Sequence, residues 1–156
     1  MKAVPTKKIR PRWSHWLFSI DMADAAPEKV LRRYEKSQTD FDIAFLEDIL
    51  IHNPHHLDTL RQLASLYTEN GQYKEGLEVD RRIVAACPRD AVAHYNLACS
   101  LSLAHRVDEC FHTLHRALQL GYRDYEHMAL DSDLDSIRKD RRWPELFRAP
   151  TTSIVA

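Results

Sequence analysis

The sequence predicts an all-α fold, a right-handed α-solenoid of antiparallel helix hairpins. Three observations predict it. Apolar residues recur at i, i+3, i+4 spacing along most of the chain, the period of a helix with one buried stripe. The pattern returns after 34 residues: Leu63 and Ala64 fall on Leu97 and Ala98, Glu75 on Glu109, Arg82 on Arg116 and Pro54 on Pro88. Glycine stands only at positions 71, 76 and 121, too few for turn-rich β architectures or phosphate-cradling loops.

Residues 1–26 read as a basic and aromatic tail. Lys2, Lys7, Lys8, Arg10 and Arg12 crowd its start with no acid among them, and Trp13, Trp16 and Phe18 follow. Its apolar stretch is short and interrupted by His15, Ser19 and Asp21, so no export signal is expected. Residues 27–56 read as a divergent N-terminal helix pair. Pro27 can start a helix through about Ser37. Thr39 or Asp40 can cap a second helix, "FDIAFLEDILIHN", with Ile43, Leu46, Ile49 and Leu50 facing inward.

Residues 57–90 form the first complete unit. Leu57, Leu60, Leu63, Ala64 and Tyr67 make one stripe, and Gly71 supplies a C-terminal stop. Tyr73, Gly76, Leu77, Ile83, Val84 and Cys87 make the second stripe, closed by Pro88. Two helices of this length with a short turn form an antiparallel hairpin. Residues 91–122 repeat the unit, with Leu101, Phe111 and Leu118 in the slots of Tyr67, Leu77 and Val84. Residues 123–149 form a helical cap and 150–156 a tail.

A two-helix unit of this length has the tetratricopeptide spacing. "LASLYTENGQYKEGLEV" and "AHYNLACSLSLAHRVDECFHTLHRAL" resemble that family in their small residues and in the "YNLA" and "RAL" runs. Asp80, His94 and His105 depart from it, at slots usually held by an aromatic, by Trp or Leu, and by glycine. The segment with Asp131, Asp133, Leu134, Ile137, Arg138, Asp140, Arg142 and Trp143 resembles the closing cap of a bacterial group of tetratricopeptide proteins. There Asp133 is expected to cap a helix, with Arg138 as ion partner of Asp133 or Asp140. Trp143, Leu146 and Phe147 are expected to cover the last apolar face.

Three histidines in "HNPHH", His52, His55 and His56, suggest metal ligation. One repeat later the same slots hold Ala86, Arg89 and Asp90, so the turn recurs and the histidines do not. His112 and His115 share a helix face without a third ligand. Cys87, Cys99 and Cys110 show no CxxC spacing and read as packing residues of a reduced compartment. No nucleotide loop, nucleophile elbow or calcium loop is present. The expectation is therefore no enzyme, no cofactor, no metal and a cytoplasmic setting. No apolar run reaches the ~18 residues of a membrane-spanning helix, and a net charge of −1 gives no overall pull towards polyanions.

What remains is the concave side of the stacked hairpins, lined by the first helix of each. The expected partner-binding residues are Arg61, Ser65 and Thr68 in one unit, and Val92, Tyr95, Asn96, Cys99 and Leu103 in the next. Tyr95 with Val92 and Leu103 makes an apolar strip suited to a peptide or partner helix, a second copy included. The resemblance also places Arg61, Ser65, Asn96, Glu126 and Leu130 where chaperone-binding relatives grip a terminal carboxylate. Glu126 has the wrong sign for that ligand. The alternative function is a nucleic-acid or membrane-surface adaptor using the basic Trp-containing tail.

Overall fold

The computed structural model describes residues 27–147. The basic tail, residues 1–26, lies outside the described residues, and so does every expectation attached to it. The described residues divide between two units, with the boundary between Ser37 and Gln38. Among the described residues six α-helices run in order: α1 (Pro27–His52), α2 (Leu57–Glu69), α3 (Tyr73–Ala86), α4 (Ala91–Leu103), α5 (Val107–Gln119) and α6 (Tyr125–Leu130). Short 3₁₀ turns follow at Ser132–Leu134 and Trp143–Phe147. No strand occurs among the described residues.

α1 starts at Pro27 as expected, but it is one helix of 26 residues and not the two foreseen. No glycine or proline interrupts it after Pro27. Gln38 Nε2 donates to Asp42 Oδ1 one turn on, at 2.8 Å, across the place where a cap was expected. Asp40 instead faces Asn70, whose Nδ2 donates to it at 3.5 Å. Ile43, Leu46 and Leu50 turn inward and are buried, as their spacing requires.

The hairpins α2–α3 and α4–α5 form as the repeat predicts. α3 packs on both α2 and α4, and α5 packs on α4. The two helix starts recur with different chemistry. His56 Nδ1 accepts from Thr59 N at 3.3 Å to cap α2. Asp90 Oδ1 accepts from Val92 N at 2.9 Å and Ala93 N at 3.2 Å to cap α4. One member of the histidine triplet is thus a helix cap, while His52 and His55 are exposed.

The hairpin turns share a left-handed residue. Gly71 sits at φ 73° and His105, one repeat later, at φ 57°. Both close the same pair of bonds: Gln72 N to Tyr67 O at 2.7 Å with Gly71 N to Thr68 O at 3.0 Å, and Arg106 N to Leu101 O at 2.8 Å with His105 N to Ser102 O at 3.0 Å. The sequence departure at His105 therefore changes the residue and keeps the turn.

Among the described residues the core falls into two clusters. One joins α1 to the first hairpin through Leu46, Leu60, Leu63, Tyr67 and Ile83. The other joins the second hairpin to the cap through Phe111, Leu114, Met128, Leu134, Ile137 and Trp143. Ile137, Leu134 and Met128 are fully buried, so the cap covers the face a third hairpin would otherwise cover. Trp143 and Leu146 join it, while Phe147 stays 39% exposed.

Two details of the cap differ from expectation. Asp131, not Asp133, is the cap residue, its Oδ1 accepting from Asp133 N at 3.0 Å. Arg138 pairs with Asp135 at 2.5 Å and donates to the Asp131 carbonyl at 2.6 Å. Asp140 is taken by Arg142, two residues away, at 2.9 Å.

Candidate binding groove

A cavity of about 670 Å³ opens between α2 and α4. Arg61, Ser65, Thr68 and Glu69 line it from α2, and Val92 and Asn96 from α4. α3 contributes Asp80 and Ile83 to its floor, and Asp133 reaches it from the cap. Five expected residues, Arg61, Ser65, Thr68, Val92 and Asn96, therefore share one surface. Val92, Tyr95 and Asn96 also border a second hollow of about 450 Å³ with Tyr122, Arg123 and His127. Val92, 55% exposed, stands between the two.

Tyr95, Cys99 and Leu103 are the corrections. Tyr95 is 3% exposed and stacks on Tyr122 with ring centroids 4.2 Å apart, so it is no exposed anchor. Its hydroxyl donates to Asp131 Oδ2 at 2.6 Å, and Cys99 Sγ approaches the same oxygen at 3.5 Å. Ser102 and Ser136 hydroxyls meet at 2.7 Å. Positions 95, 99 and 102 lie on one helical stripe. The cap lies along that stripe and covers most of it. Leu103 is half-buried and outside the cavity lining. The apolar strip of Tyr95, Val92 and Leu103 consequently does not exist as a surface.

Among the described residues, the cavity lining carries one base and four acids. Arg61 Nη2 pairs with Asp90 at 3.2 Å, and its Nη1 lies 3.7 Å from Asp58. Ser65 donates to Glu69 at 2.9 Å. Asp80 is 5% exposed and accepts one hydrogen bond, from Ser100 Oγ at 2.5 Å. Burial pushes its carboxyl from 3.8 up to about 6, and the Ser100 bond only partly opposes this. Burial also raises the Asp133 carboxyl, helped by the like charges of Asp131 and Asp135.

Sequence reasoning missed Asp80 and Asp133 as groove residues. Asp80 had a visible signal, an acid in a slot where the repeat pattern has an aromatic. Asp133 had none, because its place depends on how the cap folds back.

The thiols offer little chemistry. Burial raises both Cys99 and Cys110, which keeps them protonated and poorly nucleophilic. Among the described residues, no three His, Cys, Asp or Glu side chains are placed to share a metal ion. No described helix is long and apolar enough to cross a membrane.

Comparison with known proteins agrees with this architecture. Residues 57–98 match the tetratricopeptide repeat family. A chloroplastic protein of Arabidopsis thaliana is 32% identical over 92 residues, covering 57% of this chain and 28% of its own length. This chain thus spans under a third of that relative. Two solved structures share the fold at 17% identity. MamA 41-end from Desulfovibrio magneticus RS-1 has a TM-score of 0.59, with 76% of this chain and 66% of that one covered. A further crystal structure of MamA also reaches 0.59, over 78% and 68%.

Proposed function

We propose, from the premise that residues 57–98 are a tetratricopeptide repeat, that this chain is a non-catalytic protein-interaction module. Its ligand is a peptide or partner helix held in the groove between α2 and α4. The observation that carries the reading is the cavity itself, which gathers Arg61, Ser65, Thr68, Val92 and Asn96 on one open surface. Its dimensions suit an extended segment or one face of a helix. Its lining combines hydrogen-bonding side chains with the exposed Val92 side chain, which allows both orientation and apolar contact.

Binding is centred on the first hairpin and the start of α4. The face of α4 that carries Tyr95 and Ser102 is already occupied by the chain's own cap through Asp131 and Ser136. Partner contacts therefore involve Asn96 and Val92 and leave Tyr95 and Cys99 untouched.

A photocrosslinking experiment tests this. Benzoylphenylalanine replaces Asn96 in the groove or, as a control, His115 on the exposed face of α5. Irradiation in the producing cell is expected to give covalent adducts with a discrete protein from position 96 only. A product of twice the chain mass identifies the partner as a second copy. Adducts of equal yield from both positions, or none from position 96, remove the groove assignment.

A further inference from the structure

We propose that the groove recognises a cationic side chain, the lysine or arginine of an extended partner peptide, seated against the carboxylates of Asp80 and Asp133. The inference rests on the groove reading above and adds the chemistry of the partner to it.

The four acids of the lining are not equivalent. Asp90 is satisfied: it caps α4 and pairs with Arg61. Glu69 accepts from Ser65. Asp80 is different. Its Oδ2 takes the Ser100 hydroxyl, and its Oδ1 accepts no hydrogen bond among the described residues. No lysine, arginine or histidine pairs with it there. A carboxylate nine-tenths buried normally has a counter-charge or a full set of donors, because desolvation otherwise disfavours its charged form. Asp80 has neither, and it borders an open cavity.

Asp133, only half-buried, also lines the cavity. Its side chain accepts no hydrogen bond from the described residues, and its charged neighbours, Asp131 and Asp135, are both acids. Two carboxylates without a cation thus border one cavity whose single base is already paired. An ammonium or guanidinium entering there gains charge-assisted hydrogen bonds to the buried Asp80 carboxylate and to the half-buried Asp133, neither of which has a cation partner among the described residues. Ile83, Ala93 and the exposed Val92 line the same wall and suit the aliphatic stem of lysine or arginine. An acidic peptide meets like charge at the same points and is excluded.

The test uses the full chain, immobilised, and four pools of capped decapeptides. Each pool is random except at its centre, which is fixed as Arg, Lys, Leu or Glu. Retained peptides are quantified by mass spectrometry. The Arg and Lys pools are expected to be retained about tenfold or more over the Glu pool, as one or two charge-assisted bonds imply. In the double variant Asp80→Asn, Asp133→Asn the ratio is expected to fall close to one. Both changes are isosteric, and thermal melting confirms folding. If the double variant does not fold, Asp133→Asn alone is read in the same way. Retention without preference for cations, or a preference that survives in the variants, overturns the inference and leaves the groove reading standing. Retention of no pool at all overturns both.

Discussion

Asp80→Asn is expected to stabilise the chain at neutral pH, an unusual outcome for a buried polar position. In the unfolded chain its carboxyl ionises near the ordinary 3.8; in the folded chain burial moves it to about 6. The folded state therefore holds this proton more tightly, by about 2–3 kcal/mol. Between pH 4 and pH 6 the folded chain binds more protons here than the unfolded one, so stability falls as pH rises through that window. Above pH 6 the whole cost of the buried charge is present. Below pH 4 the carboxyl is neutral in both states and the cost is gone. Asparagine keeps the acceptor for Ser100 and never ionises. The variant is thus expected to exceed wild type by about 2–3 kcal/mol at pH 7, equivalent to a rise of about 5–10 °C in Tm. The advantage shrinks steadily from about pH 6 to about pH 4. Urea denaturation of both proteins across roughly pH 4–7.5 reads this difference directly and cancels the titration of every other group. A variant no more stable than wild type at neutral pH, or a difference independent of pH, would refute the assignment of Asp80 as a buried uncompensated acid.

Tyr95→Phe is expected to lose about 1–3 kcal/mol of stability in urea denaturation, because Asp131 loses a hydroxyl donor at 2.6 Å. Tyr95→Ala removes the stack on Tyr122 as well and is expected to cost about 3–5 kcal/mol. An unchanged urea midpoint for Tyr95→Ala would restore it to the surface. His105→Gly is expected to raise Tm, by about 0.5–1 kcal/mol of stability, since a side chain occupies the left-handed region there. The reverse change, Gly71→Ala, is expected to lower it by about 1 kcal/mol at φ 73°, although the added methyl meets nothing within 4 Å. Gly76→Ala is expected to stabilise α3 by about 0.5–1 kcal/mol in the same assay. A methyl there meets Thr68 and Tyr67 atoms at 3.5 Å, an ordinary contact, and the helix gains a better former.

The repeat makes most of the fold legible. Hairpin turns, small-residue slots and inward stripes are local patterns, and one unit reads as the next shifted by its own length. α1 departs from expectation for a local reason too. Thr39 and Asp40 are good cap residues, but a cap signal ends a helix only where the chain turns, and no glycine or proline forces a turn before Pro54. The groove is half legible. Arg61, Ser65, Thr68, Val92 and Asn96 follow from helical phase alone. Tyr95 and Cys99 share that phase and are nevertheless covered. What covers them is the segment around residues 131–136, more than 30 positions away in sequence. Phase says which way a side chain points and nothing about what later folds across it.

That difference also explains why an aromatic and an acid exchange roles here. Tyr95, on the inner stripe, has the phase of a contact residue, and Asp80, in a core slot, has the place of a packing defect. The cap reverses both. By setting Asp131 against the Tyr95 hydroxyl and laying Ser136 on Ser102, it turns the inner face of α4 into core. The groove is thereby confined to the α2 side of α4, where Asp80 forms part of its floor. An aromatic at position 80 would fill that floor and give the hairpins a better-packed core. Among the described residues the acid has one hydrogen bond, from the Ser100 hydroxyl, and no cation partner. On the reading proposed above, a partner's cation offsets the cost of burying that charge at neutral pH, and stability given up at position 80 becomes selectivity for the partner's charge.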